Sequence, residues 1–131
     1  MLRIGLRDGE RVIINGAVLR AQGRVTLAVE TASAVLRGRD VMRAEEANTP
    51  ARRLYFACMM AYIEPEAADR HRQAIAARAG ELFAALAHPE MRAACLAVIG
   101  HGGAGDFYAA LAECRRLVQY EGELLAPGDA A

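Results

Sequence analysis

Apolar and polar residues alternate along much of the first 43 residues of the chain. An apolar residue at every second position is typical of a strand that buries one face and exposes the other. A short run of β-branched residues, as in Val12-Ile13-Ile14, also favours a strand. The predicted strands span residues 2–6, 11–14, 17–21, 25–29 and 33–36.

Glycine-containing pairs separate these strands. Asn15-Gly16 is a dipeptide that two-residue hairpins favour, because both residues tolerate a positive φ. Asp8-Gly9 and Gln22-Gly23 are further turn signals. Turns this short connect antiparallel neighbours, so we expect an antiparallel sheet or a partial barrel.

The apolar spacing changes from strand-like to helical near Thr49-Pro50, a pair that suits the start of a helix. In the third of the predicted helices, Cys95, Leu96 and Ile99 are expected to face inward. Residues 100–105 include four glycines, so we expect a flexible loop or hinge there. The predicted helices span 50–63, about 66–87, about 90–99, and a last segment that Asp106 caps and whose apolar stripe runs to Leu125.

Strands followed by helices indicate the α+β class. We expect a small N-terminal antiparallel β-sheet or partial barrel packed against a C-terminal helical bundle, because a small sheet alone is only marginally stable. The expected boundaries are 1–48 for the β-rich part, 49–125 for the helical part and 126–131 for a frayed tail.

The composition permits a real core, since 54% of the residues are hydrophobic. Every apolar stretch is shorter than the ~18 residues that indicate a transmembrane helix. The first ten residues alternate and carry charge, unlike the apolar centre of a signal peptide. We therefore expect a cytoplasmic protein that has no membrane partner.

No recognisable catalytic or metal-binding pattern occurs in the sequence. Cys58, Cys95 and Cys114 lie in apolar helical contexts, and neither they nor the three histidines show the spacing of zinc ligands. We expect the cysteines to be buried apolar residues, with no metal and no cofactor. Nucleophile-elbow, zinc-protease and phosphate-loop motifs are also missing, so we expect no enzymatic activity.

Charge is unevenly distributed although the formal net charge is zero. Residues 1–53 contain ten arginines and six acidic residues, and the remainder contains six arginines and ten acidic residues. A basic first part favours contact with a polyanion, and solvated surface charge is the alternative.

Arginines on the predicted strands are candidates for RNA binding. A guanidinium donates two parallel hydrogen bonds to phosphate and also stacks on unpaired bases. No aromatic residue lies among the strands, so no stacking surface of the RRM kind is expected. The candidate RNA-binding residues are Arg3, Arg7, Arg11, Arg20, Arg24, Arg37, Arg39 and, at the start of the first helix, Arg52.

Several blocks of the sequence resemble the flagellum biosynthesis repressor protein FlbT family. They are LRDGE at 6–10, INGAV at 14–18, VLRGRDVM at 35–42, TPARRLYF at 49–56, and a last helix block at 107–121. These blocks follow the family's order and cover roughly positions 4–121. The block at 49–56 is the most specific of them. The family-motif residues that the resemblance implies are Asn15, Gly16, Thr49, Pro50, Arg52, Tyr55 and Phe56.

The resemblance implies post-transcriptional control of flagellin synthesis in flagellum biogenesis. Family members associate with the 5′ untranslated leader of a flagellin mRNA and promote its degradation, together with the small regulator FlaF. In some members the effect on flagellin is positive.

Two hypotheses stay open for this chain. One is an RNA-binding repressor that uses the arginine-bearing sheet and residues 49–56. The other is a protein-interaction module or chaperone-like adaptor that binds flagellin or FlaF through its helical part and affects the mRNA indirectly. The sequence leaves the oligomeric state open, including a homo-oligomer.

Overall fold

The computed structural model describes residues 1–125, in which five strands precede four α-helices. This arrangement confirms the predicted α+β class. The chain divides into two compact units, Met1–Val41 and Met42–Ala131, which we call the β unit and the helical unit. Residues 126–131, expected to form a frayed tail, lie outside the described residues.

The strands of the β unit form two small antiparallel sheets. One sheet pairs β1 (Leu2–Leu6) with β4 (Val25–Val29). In the other, β2 (Arg11–Ile14) lies between β3 (Ala17–Arg20) and β5 (Val35–Arg37). The predicted strands are therefore present, and they form two open sheets rather than one.

The apolar faces of the two sheets pack together and form the core of the β unit. Antiparallel pairing places Ile4 opposite Leu27 and Leu6 opposite Val25, so the apolar side chains of β1 and β4 share one face. Val12 of the second sheet is buried against them. The opposite face of β1 and β4 is left for polar and small side chains.

Asn15-Gly16 forms the hairpin turn between β2 and β3, with φ values of 50° and 85°. Two positive φ angles are the signature of the type I′ turn that the dipeptide predicts. Asn15 also binds the chain before β5: its N–H donates to the carbonyl oxygen of Ala34 at 2.8 Å, and its Oδ1 accepts from the N–H of Ala34 at 2.9 Å. The turn therefore orders the approach to β5.

Four helices make up the helical unit: α1 (Pro50–Ile63), α2 (Ala68–Ala85), α3 (Pro89–Gly103) and α4 (Phe107–Leu125). Both α1 and α3 pack against α2 and α4, so each helix contacts two others. Within residues 1–125, no helix combines the length and the hydrophobicity that crossing a membrane requires. The largest fully buried side chains of this unit are Leu54, Ile75, Val98, Leu111 and Leu117.

Side chains cap three of these helices. The Oγ1 of Thr49 accepts from the N–H of Arg52 at 3.3 Å, and the Oδ1 of Asp106 accepts from the N–H of Ala109 at 3.1 Å. These two contacts confirm the predicted starts of α1 and α4. His88 caps α3 in the same way, because its Nδ1 accepts from the N–H of Glu90 at 3.2 Å.

The three cysteines are buried in the helical unit, as predicted. The Cys114 thiol donates to the sulfur of Cys58, with the two Sγ atoms 3.6 Å apart. This hydrogen bond and burial raise the pKa of the Cys114 thiol, and burial also raises the pKa of Cys95. Among residues 1–125, no group of three or more His, Cys, Asp or Glu side chains is arranged to hold a metal ion.

The prediction of a flexible loop at residues 100–105 is wrong. Helix α3 continues to Gly103, and Gly105, with a φ of 80°, lies beyond its end. Gly102 is buried, and a Cβ added to it would come within 3.2 Å of the Cγ2 of Ile75. Glycine therefore permits a close approach between α3 and α2, and tertiary packing outweighs its low helix propensity.

Two predicted inward positions are also wrong. Leu96 is 55% exposed, and Leu125 at the end of α4 is 66% exposed. The turn of α3 instead buries Cys95 and Val98, which are completely inaccessible. Successive residues of an α-helix are about 100° apart, so Leu96 lies about 160° around the helix from Val98 and faces away from the buried side.

Candidate nucleic-acid interface

The outward face of β1 and β4 carries small residues bordered by arginine. In the pairing register, Arg3 lies opposite Ala28 and Gly5 lies opposite Thr26, and all four are exposed. Apart from the exposed Leu2, the apolar residues that alternate with them pack in the core of the β unit. Small side chains along this face leave room for a ligand backbone to approach the strands.

At one end of this face, four arginines line a groove of 780 Å³. Arg7 directly follows β1 and Arg24 directly precedes β4, so pairing of the two strands brings both side chains to the same end. Arg37 ends β5, and Arg39 lies two residues beyond it. The groove is also lined by Gly5, Leu6, Asp8, Gly9, Glu10, Val25 and Thr26.

Arg37 differs from the other three arginines because protein atoms hold its side chain. Its Nη2 donates to the carbonyl oxygen of Gly5 at 2.5 Å and lies 3.6 Å from the Oε2 of Glu10. Gly5 and Arg37 belong to different sheets, so this hydrogen bond joins the sheets at the groove. The Nε of Arg37 is buried and has no hydrogen-bond partner among residues 1–125.

Backbone amides engage both carboxylates of the groove. The Oε1 of Glu10 accepts from the N–H of Arg7 at 3.0 Å, and the Oδ1 of Asp8 accepts from the N–H of Gly23 at 2.7 Å. The bond from Arg7, followed by the positive charge of Arg37, holds the pKa of Glu10 below its usual value. These carboxylates therefore order the turns that contain Arg7 and Gly23. Because four guanidinium groups and only two carboxylates line the groove, its net charge is positive.

The remaining candidate arginines do not line this groove. Arg3 lies on the same outward face, farther along β1. Arg11 and Arg20 are directly opposite each other across β2 and β3, an exposed pair of like charges that disfavours the pairing. Arg52 belongs to the helical unit, where its Nη1 donates to the Oδ1 of Asn48 at 3.1 Å.

Residues 49–56 of the helical unit are placed by a contact that the sequence did not predict. The Thr49 hydroxyl donates to the Oε1 of Glu121, and the N–H of Ala51 donates to its Oε2 at 2.9 Å. A carboxylate is stabilised at the first turn of a helix by the free N–H groups and the helix dipole. No local sequence signal identifies Glu121, because about 70 residues separate it from its partners.

The aromatic residues of the same segment pack within the helical unit. Tyr55 is buried and Phe56 is half-buried. Thr49 caps α1, and Pro50 lies in its first turn. All four residues therefore have a structural role in the helical unit.

Comparisons with known proteins agree with the resemblance found in the sequence. The family described as "Flagellar protein FlbT" matches residues 2–125. A probable flagellum biosynthesis repressor protein FlbT from Caulobacter sp. (strain K31) is 36% identical over 125 residues, covering 95% of each chain. The flagellum biosynthesis repressor protein FlbT of Caulobacter vibrioides (strain CB 15) is 34% identical over 95% of this chain and 89% of its own length. No solved structure matches this chain.

Proposed function

Since the chain belongs to the FlbT family of flagellar proteins, we propose that it regulates flagellum biosynthesis by binding the 5′ untranslated leader of a flagellin mRNA and promoting its degradation. The names of its relatives as flagellum biosynthesis repressors support the regulatory role. The proposed action takes place in the cytoplasm, where the transcript is translated. FlaF and flagellin are proposed as protein partners.

The observation that carries RNA contact is the arginine-lined groove of the β unit. Arg7, Arg24 and Arg39 are exposed there, and they contact the phosphates of the leader. Arg37 positions the groove by joining the two sheets and adds its charge. Arg3 extends the contact along the outward face of β1, beside the small side chains of Gly5 and Thr26.

Recognition of the leader then depends on RNA shape and unpaired bases. The β unit contains no aromatic residue, so bases cannot stack on rings as they do in RRM domains. An arginine that binds a phosphate can also stack its planar guanidinium on a base. The protein itself performs no cleavage in this proposal, and a separate nuclease degrades the bound transcript.

A salt titration tests this proposal. The wild type, Arg7→Gln/Arg24→Gln and the control Arg70→Gln/Arg116→Gln are titrated with flagellin leader RNA at several salt concentrations. The control removes the same charge from exposed positions of the helical unit. Loss of two phosphate contacts is expected to flatten the slope of log K against log salt by about 1.4, since each contact to a single strand contributes about 0.7.

The control variant is expected to keep the wild-type slope. Equal slopes and equal affinities for all three proteins would contradict RNA binding by the β unit. A shuffled RNA of the same length separates recognition of the leader from general attraction to a polyanion, because the latter is independent of sequence.

A second candidate function is a protein-interaction module that binds flagellin or FlaF. The observation that favours it is a set of exposed apolar side chains on α3 and α4, which include Leu96 and Tyr108. Large exposed apolar residues frequently mark binding surfaces for other proteins. Co-elution of the protein with purified flagellin or FlaF, abolished by Leu96→Ser/Tyr108→Ser while RNA affinity is unchanged, would establish this function.

A further inference from the structure

A second pocket, of 350 Å³, opens between α1 and α2 within the helical unit. Both helices contribute arginine and apolar side chains to its wall. Nothing in the proposed contact with RNA uses this pocket. It is lined by Ala47, Arg53, Phe56, Ala57, Met60, His71, Ala74 and Arg78.

The helical repeat explains why these residues meet. On α1, the lining residues lie at positions 53, 56, 57 and 60, and on α2 they lie at 71, 74 and 78. Residues three, four and seven apart share one face of a helix. Because α1 packs against α2, the two faces oppose each other across small alanine side chains, which leave space between the helices.

The charge of the pocket is opposite to that of the unit that contains it. Residues 42–131 contain nine arginines and twelve acidic residues, a net charge of −3. No carboxylate is among the lining residues, and within residues 1–125 neither Arg53 nor Arg78 forms a salt bridge. Two guanidinium groups from different helices therefore border one concave site that no carboxylate of the described residues lines.

His71 lies at the wall of the pocket with an unsatisfied ring nitrogen. Its Nε2 is buried, lacks a hydrogen-bond partner in the described part of the chain and lies 3.5 Å from the Oε1 of Glu64. Glu64 is not part of the lining, and its carboxylate lies beside His71. The attraction for an anion therefore rests on Arg53 and Arg78.

We propose that this pocket binds a small organic oxyanion, a phosphate or carboxylate attached to a flat apolar body. The arginine forks bind the oxyanion, because a guanidinium donates two parallel hydrogen bonds to either group. The half-buried side chains of Phe56 and Met60 pack against the apolar body. The volume lies at the lower end of the range for small-molecule sites, about 300–1,000 Å³, which fits a ligand of this size.

Binding of four probes to the full-length protein tests this proposal by NMR chemical-shift titration. Phenyl phosphate and phenylacetate carry both features of the proposed ligand, inorganic phosphate carries only the oxyanion, and benzyl alcohol carries only the ring. Saturable shifts confined to the residues around the pocket are expected with at least one of the first two probes. Whichever of them binds more tightly identifies the oxyanion.

Variants assign the roles of the pocket residues. Arg53→Gln and Arg78→Gln are each expected to weaken the bound probe about tenfold, because each removes charge-assisted hydrogen bonds. Phe56→Leu is expected to weaken phenyl phosphate but leave inorganic phosphate unchanged. The control is Arg70→Gln, which removes the same charge from an exposed position of α2 outside the pocket.

Several results would overturn the proposal. One is the absence of saturable binding by either oxyanion probe. Another is equal weakening by Arg70→Gln and Arg78→Gln, which would indicate attraction to overall charge. Equal affinity for inorganic phosphate and phenyl phosphate would show that the apolar side chains of the pocket do not contribute to binding. All outcomes are independent of RNA affinity, which is measured separately.

Discussion

The β unit and the helical unit are stabilised in different ways. In the β unit, few apolar side chains are fully enclosed. Its turns and sheets are joined by hydrogen bonds that Arg37 donates and that the side chains of Asp8 and Asn15 accept. In the helical unit, large aliphatic side chains are completely buried between four helices. Burial of apolar area is the larger stabilising effect, so the helical unit is expected to contain most of the stability.

The two units also differ in the sign of their net charge. Residues 1–41 contain seven arginines and four acidic residues, a net charge of +3, whereas residues 42–131 have a net charge of −3. The unit with the smaller core is therefore the one suited to a polyanion. Four sets of substitutions test this comparison. Three of them change the helical unit, at a buried leucine, a long-range cap and a glycine contact. The fourth changes a carboxylate of the groove in the β unit.

The largest effect is expected from truncation of a buried leucine in the helical unit. Leu111 is completely inaccessible, so Leu111→Ala removes apolar contacts and leaves a cavity. A loss of about 2–5 kcal/mol in the free energy of unfolding is expected. Urea denaturation followed by circular dichroism measures it. Leu96→Ala, on the exposed side of α3, is the control and is expected to change stability by less than about 1 kcal/mol.

An intermediate effect is expected from Glu121, which joins α4 to the start of α1. Glu121→Ala removes the acceptor for both the Thr49 hydroxyl and the N–H of Ala51. Hydrogen bonds to a charged group contribute about 1.5–3 kcal/mol, and this site is only partly buried, so a loss of about 1–2 kcal/mol is expected. The exposed Glu123 on the same helix supplies the control, and equal losses for Glu121→Ala and Glu123→Ala would contradict the capping role.

Two glycines of α3 provide a smaller and opposite pair of effects. Gly100→Ala places a methyl group in open space, so the better helix propensity of alanine is expected to stabilise the protein by about 0.5–1 kcal/mol. Gly102→Ala gains the same propensity but pushes a Cβ to 3.2 Å from Ile75. Thermal unfolding is expected to give a lower melting temperature for Gly102→Ala than for Gly100→Ala. A higher melting temperature for Gly102→Ala than for Gly100→Ala would show that α2 and α3 can move apart to accommodate the added methyl group.

The smallest effect is expected from Glu10, whose half-buried side chain lines the groove. The pKa of Glu10 in the folded state is lowered from 4.5, chiefly by the N–H of Arg7. Its ionised form therefore stabilises the folded state above the unfolded pKa, and that contribution is lost as the pH falls through the folded pKa. The stability difference between the wild type and Glu10→Gln is expected to shrink on acidification below about pH 4.5. A stability difference that grows on acidification would contradict the expected dependence of stability on pH.

Local signals in the sequence predicted the elements of the fold well. The alternation of residues 2–6 and 25–29, the Asn15-Gly16 turn, and the caps at Thr49 and Asp106 all depend on residues close together in the chain. Such patterns act through backbone conformation and short-range hydrogen bonds, so they can be recognised in a single sequence.

The candidate site was only partly predictable. The sequence identified every arginine of the groove: alternation indicated Arg7 and Arg24, and Arg37 and Arg39 were candidates because they flank a predicted turn. It did not show that Arg7, Arg24, Arg37 and Arg39 meet while Arg11 and Arg20 lie elsewhere. That grouping depends on which strands pair and on how two sheets stack. Nor did it show that Arg37 is engaged by Gly5 and Glu10.

The sequence by itself determined the family, the α+β class and the position of most strands and helices, since these follow from residue periodicity and short motifs. The tertiary structure decided the continuation of α3 through its glycines, the contact of Glu121 with the start of α1, and the presence of Arg53 and Arg78 on one pocket. Each of these depends on side chains brought together by packing between elements that are distant in the chain. Gly102 is the clearest example: its low helix propensity predicts a break, but the close approach of Ile75 makes a residue without a Cβ the one that fits.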